Sequence, residues 1–323
     1  MRTVIISLLA LACTSDSAKT TVTGPSAVDT AVDYTPDEGW GEAAVAAPTL
    51  LAEGLDGPSG MVVVDGTLYV AEEGVGRIVR LESGALSTFV DGLAAPHGLV
   101  ATDEGLVIAD AEAIWTVSTD GSATQQVSEL EPTGALSTDG THVWWVTSVE
   151  GEGDVWRMSL SEPGDALIVL SDLDEPGGLT HKDGAPLVLE SGRARAVWGG
   201  VSVDEVQATW STALPGRDIA ADDLGVVVTT ESSRWPNPGW VARIGQDDPV
   251  SLCETPPEPA RVRLTQTHVY FASKQGIGRV ERDGGTFETV ALRTSVGDFL
   301  VDAGELIWTD PDRGSVWSVQ LDD

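Results

Sequence analysis

The chain has 323 residues, with 18 Lys plus Arg against 51 Asp plus Glu and a formal net charge of -33. That balance argues against a nucleic-acid partner, which needs Lys and Arg to displace phosphate counterions, and it opposes adsorption to anionic lipid. Hydrophobic residues make up 41% of the chain, which is enough for a core and excludes global disorder.

Arg2 precedes an apolar run from Thr3 to Ala12, too short to span a bilayer and matched to the apolar segment of a signal peptide. The run ends in Ala10-Leu11-Ala12-Cys13, which resembles a bacterial lipobox. The resemblance implies that residues 1–12 are removed and that Cys13 carries lipid. Thr14 stands where an Asp would resemble an inner-membrane retention signal, which points to an outer-membrane anchor facing the periplasm or the surface. The other reading is an ordinary secretory signal cut near Ala12. Residues 13–47 are mostly Thr, Ser, Ala, Val, Asp, Gly and Pro without a sustained period, the composition of a flexible tether with a reach of roughly 30 Å. Cys253 is the other cysteine; with Cys13 lipidated no intrachain disulfide can form, and Cys253 reads as a small buried residue.

From Pro48 onward the chain repeats. A Pro or Gly turn leading into an apolar strand occurs at Gly57-Pro58, Ala95-Pro96, Glu131-Pro132, Glu175-Pro176, Leu214-Pro215, Pro257-Glu258-Pro259 and Ser295-Val296-Gly297, at intervals of about 36 to 44 residues. Each first strand runs into a tight turn, as at Asp65-Gly66, Asp139-Gly140 and Asp183-Gly184, where positive φ favours Asp-Gly. A second apolar strand follows, then a third that often carries a Trp (Trp115, Trp156, Trp198, Trp240, Trp317), then a fourth. The Trp column reads as packing between repeats. Four short antiparallel strands per repeat make the blade of an all-β propeller, and seven phases predict seven blades over residues 48–323, with six as the alternative. The last repeat ends after its third strand. Residues 48–55 resemble a fourth strand without a blade, so pairing them with the last blade would close the ring and remove two open edges.

Ile307-Trp308-Thr309-Asp310 resembles a YWTD core, and Gly278-Arg279-Val280 with Asp283-Gly284-Gly285 resembles the end of an NHL-type repeat. The resemblance covers about residues 48–323 and implies a propeller; YWTD propellers usually have six blades.

Aligning the ends of the second strands gives a column of Glu72, Asp110, Ser148, Glu190, Glu231, Ser273 and Asp310. Its five carboxylates admit two roles. Converging at the channel mouth, Glu72, Asp110, Glu190, Glu231 and Asp310 would offer oxygen ligands for Ca²⁺. Within single blades, each would hydrogen-bond neighbouring backbone, as the Asp of YWTD repeats commonly does. A second column just before the first strands holds His97, a base or ligand if the protein is an enzyme, and Arg217, which would grip an anion. His142, His181 and His268 fall at other phases, near the first hairpin turns, which disfavours the three-His zinc site of NHL-type amidating lyases. The lone Asn237 is a weak match to the Glu, Asn and Asp metal ligands of sugar-lactone hydrolases related to SMP-30. It lies in the insertion Trp235-Pro236-Asn237-Pro238-Gly239, where Trp235 is a candidate ligand contact.

No nucleophile elbow, phosphate loop or HExxH helix occurs. The leading expectation is therefore a non-catalytic binding or scaffold propeller on a lipid tether, with a protein or saccharide partner at the cell envelope. The alternative is a metal-dependent hydrolase or lyase with its ion in an acidic central site.

Overall fold

The computed structural model describes residues 47–128, 132–162, 164–200, 202, 205–230, 239–255, 259–273, 276–292 and 295–322. They form seven four-stranded antiparallel sheets arranged in a ring, and no helix occurs among them. The first blade has strands Pro58–Val64, Thr67–Glu72, Arg77–Glu82 and Ala85–Asp91, each hydrogen-bonded to the next. Blades 2 to 6 repeat this order, and their first strands are Gly98–Thr102, Pro132–Thr138, Pro176–Lys182, Gly216–Asp222 and Pro259–Leu264.

The seventh blade joins Phe299–Asp302, Glu305–Asp310 and Ser315–Gln320 to the early strand Thr49–Glu53. Leu50 lies opposite Trp317 and Ala52 opposite Val316, with a bulge between. The Leu55 amide then donates to the Gly314 carbonyl, 2.9 Å away, just as the Leu93 amide donates to Gly76 at 2.9 Å in blade 1. The early strand is thus a true fourth strand, and the ring has no open edge at the seam.

The core is divided among the blade interfaces. Second strands are buried on both faces, because each is sandwiched between two neighbouring blades; Ala185–Glu190 is buried at every position. Side chains of a strand alternate between faces. Trp144 therefore packs towards blade 4 with Leu179 and Val188, while Trp145 packs towards blade 2 with Val107 and Ile114. Cores of this kind join each blade to the next, and one of them joins Ile307 and Val316 of blade 7 to Met61 and Val70 of blade 1. Trp115, Trp156, Trp198 and Trp317 pack partly buried against these interfaces.

Candidate functional site

The carboxylate column takes its position from strand pairing. Pro58 lies opposite Glu72, Pro176 opposite Glu190 and Pro259 opposite Ser273. By the same rule Pro132 lies opposite Thr147 and Gly216 opposite Thr230. In blades 3 and 5 the column residue is therefore one position earlier than Ser148 and Glu231. Glu231 itself lies outside the described residues, as do Trp235, Asn237 and Cys13.

Glu72, Asp110, Glu190 and Asp310 are all buried; the first three are engaged within their own blade and the connection leading into it, and Asp310 is engaged with Arg313 of its own blade. Glu72 accepts the Asp56 amide at 3.0 Å and Arg77 Nε at 2.5 Å. Asp110 accepts the amides of Ala94, Glu112 and Ala113 and the Trp115 indole N–H, at 2.7 to 3.1 Å. Glu190 accepts the Asp174 amide at 3.0 Å, Arg193 Nη1 at 2.6 Å and Arg195 Nε. Asp310 accepts the Arg313 amide at 3.1 Å. Through Glu72, Asp110 and Glu190 these bonds staple the connection that enters the blade to its second hairpin, while the bond of Asp310 to Arg313 lies within the second hairpin of blade 7. The four carboxylates do not come together, and among the described residues no group of three or more His, Cys, Asp or Glu is placed to hold a metal ion.

The first strands of all seven blades line a central channel with a cavity of about 650 Å³. Strand pairing places Gly60, Gly98, Ala135, Gly178, Asp218, Arg261 and Asp298 at one level of it. Blades 1 to 4 contribute little or no side chain there, since adjacent first strands approach closely: a Cβ on Gly60 would sit 2.6 Å from the His97 carbonyl oxygen. Blades 5 to 7 contribute charge instead.

Asp218 and Asp298 are built alike. Each amide donates to a Thr hydroxyl on its own second strand, Thr229 at 3.1 Å and Thr309 at 2.9 Å. Each carboxylate accepts the equivalent amide of the next blade, Val262 at 2.9 Å and Met61 at 3.4 Å. Between them lies Arg263, with Nη1 3.2 Å from Asp218, Nη2 2.6 Å from Asp298, and its guanidinium over the Phe299 ring. Burial in the channel pulls the Arg263 pKa down, but the charges of Asp298 and Asp218 outweigh it and hold it above its ordinary value.

Arg217 and Arg261 also line the cavity, and both are exposed. Arg261 Nε donates to the Gly297 carbonyl of the next blade at 3.4 Å. His97 lines the cavity from blade 2, its Nδ1–H donating to the Ala95 carbonyl at 2.8 Å. His181 is instead an inter-blade tie, with Nδ1 2.8 Å from the Ser137 hydroxyl and its ring stacked on Trp144. Cys253 is buried, which pushes its thiol up to about 12, only partly offset by a backbone hydrogen bond from Val241.

The repeat pattern places Arg217 and His97 just before their first strands but does not mark Arg263, Asp218 and Asp298 as a unit. Asp218 lies 45 residues from Arg263, and Asp298 35 residues. Their common level emerges only once the bulges after Gly216 and Pro259 are known.

The chain matches no protein-family model and no curated protein. Among solved structures it is similar to hydrazine synthase of Kuenenia stuttgartiensis, with TM-score 0.66 and 12% identity over 82% of this chain and 96% of that one. A gluconolactonase from Xanthomonas campestris is similar at TM-score 0.58 and 14% identity, over 90% of this chain and 96% of that one. BamB from Moraxella catarrhalis is similar at TM-score 0.55 and 11% identity, over 82% of this chain and 86% of that one. At these identities the likeness is one of fold.

Proposed function

We propose that this chain is an exported, lipid-anchored propeller that binds a partner without chemistry, and that its recognition site is the mouth of the central channel. One observation carries the reading: the exposed Arg217 and Arg261 and the Arg263 clamp face a cavity of about 650 Å³ on one side of the ring. A concave site with a few convergent polar groups is the default place for ligand recognition. Lipidation at Cys13 and the tether of residues 13–47 would present that mouth to a protein or saccharide of the cell envelope. The rival, a hydrolase or lyase with Ca²⁺ in an acidic mouth, needs several column carboxylates on one ion. Glu72, Asp110, Glu190 and Asp310 are instead occupied in four separate blades.

A plug in the channel tests the reading. Gly177 lines the cavity, and a Cβ there would meet nothing within 4 Å. Gly177→Trp should therefore fold normally while filling the mouth. Both forms are incubated with an envelope extract and their co-purified molecules are identified by mass spectrometry. The wild type should retain a component that the plugged form does not; identical sets would refute the channel as the site.

A further inference from the structure

We propose that the cleft between blades 2 and 3 is a second binding site, independent of the channel, and that it takes a small polyhydroxylated amine. The cleft has a volume of about 590 Å³, in the range of sites that enclose a small molecule. It opens on the face of the ring where the first hairpins turn, away from the mouth that Gly177 lines.

The opening has a specific origin. Asp222 of blade 5 is level with Thr102 of blade 2, since each ends its first strand opposite the glycine that opens the second, Gly225 and Gly105. Arg243 is level with Thr116, the one facing Val227 and the other Val107. Arg282 of blade 6 is level with Leu160 of blade 3, their amides donating to the Thr267 and Thr141 carbonyls at 3.1 and 2.9 Å. Between blades 5 and 6 the two arginines tie the gap: Arg282 Nη2 takes both oxygens of Asp222, at 2.6 and 2.8 Å, and Arg243 Nη2 donates to the Arg282 carbonyl. Thr102, Thr116 and Leu160 are too short to make that tie, and a cavity lies between blades 2 and 3 instead.

The lining sets the ligand's chemistry. Thr141 donates its hydroxyl hydrogen to Asp139 Oδ1 at 2.7 Å, so its oxygen accepts the Nδ1–H of His142 at 3.0 Å. The neutral imidazole is thereby held in the tautomer whose Nε2 accepts a hydrogen bond, and His142 lines the cleft. Ser118, Ser122, Ser159 and Ser161 add hydroxyls, which donate and accept alike. Asp103 and Glu104, exposed on the first turn of blade 2, are the acidic groups of the lining, and no Lys or Arg is among its described residues. The wall thus offers acceptors and negative charge, which favours hydroxyl and ammonium donors over an anion. Leu106, Val107, Val117 and Leu160 offer an apolar surface to the ligand's carbon chain.

Three probes built on one polyol chain test the proposal: glucamine carries an ammonium, gluconate a carboxylate, and sorbitol no charge. Titration calorimetry at low salt and pH 7.5 with the full chain should give saturable binding of glucamine at least fivefold tighter than of sorbitol, with gluconate weakest. Leu160→Arg, which restores the arginine of the gap between blades 5 and 6, should abolish glucamine binding. Should that variant melt early, the double variant Asp103→Asn with Glu104→Gln, on an exposed turn, serves instead and should bring glucamine down to the affinity of sorbitol. Gly177→Trp, at the other face, should leave glucamine binding unchanged. The proposal is overturned if glucamine shows no saturable binding, or if sorbitol or gluconate binds as tightly. It is equally overturned if the Asn/Gln double variant binds like wild type, or if Gly177→Trp abolishes binding and so moves the site to the channel.

Discussion

Leu55 donates its amide to the carbonyl of Gly314, and this bond completes the pairing of the early strand with the last blade. Gly314 has φ +58, a left-handed conformation that side chains resist, and an added Cβ would collide with the Leu55 carbonyl oxygen. Gly76 stands in the same relation to Leu93, with φ +68. The seam therefore reuses the geometry that ends an ordinary blade. Leu55→Ala removes a buried side chain from the interface of blades 7 and 1 and should cost about 2–4 kcal/mol. Gly314→Ala should cost about 2 kcal/mol through strain. Urea unfolding checks both; midpoints within experimental error of wild type would contradict the seam's role.

Glu190 distinguishes the two roles of the column. As an in-blade tie it holds the Asp174 amide, Arg193 and Arg195. Glu190→Ala should then lower stability by about 1–3 kcal/mol, discounted because both arginines are partly exposed. Calcium should leave the wild-type melting temperature unchanged. A calcium-dependent rise that Glu190→Ala removes would assign the column to an ion instead.

Arg263 joins three blades. Arg263→Met leaves Asp218 and Asp298 their backbone donors but no counter-charge. The expected cost is about 1–3 kcal/mol, below that of a fully buried pair because a third of the side chain meets water. A double-mutant cycle with Asp298→Asn should show coupling above about 0.5 kcal/mol; strict additivity would contradict the clamp.

His181 makes stability depend on pH. Burial lowers its pKa below the ordinary value, and the nearby Asp139 charge only partly restores it. The unfolded chain then binds the proton more readily than the folded one. The contribution of His181 is fully present above the unfolded value of about 6.5 and is lost as pH falls through the lower folded value. Urea unfolding at pH 7.5 and pH 5 should show a smaller loss for His181→Gln than for wild type, since the variant lacks the titrating group. Equal losses would contradict the assignment.

The fold was legible because each blade repeats a hairpin with strong local chemistry. Asp65 and Gly66 have φ 49 and 75, and Asp183 and Gly184 have φ 52 and 73, the backbone that the Asp-Gly pairs announce. The functional columns were legible only to within one residue. Aligning Thr230-Glu231 with Thr309-Asp310 by residue type looks natural, yet pairing puts Thr229 level with Thr309, because Ile219 faces Val228 as Phe299 faces Trp308. Register is set by turn length and bulges, which residue identity does not reveal. Arg263 escaped for the same reason, its partners being fixed by the ring and not by any local pattern.

The channel mouth is tested most directly by a structure of the full chain with the envelope component that the wild type retains and Gly177→Trp loses. That component should sit inside the cavity, against the first strands of the blades. A component bound on the outer strands, with the mouth left open, would contradict the channel as the recognition site.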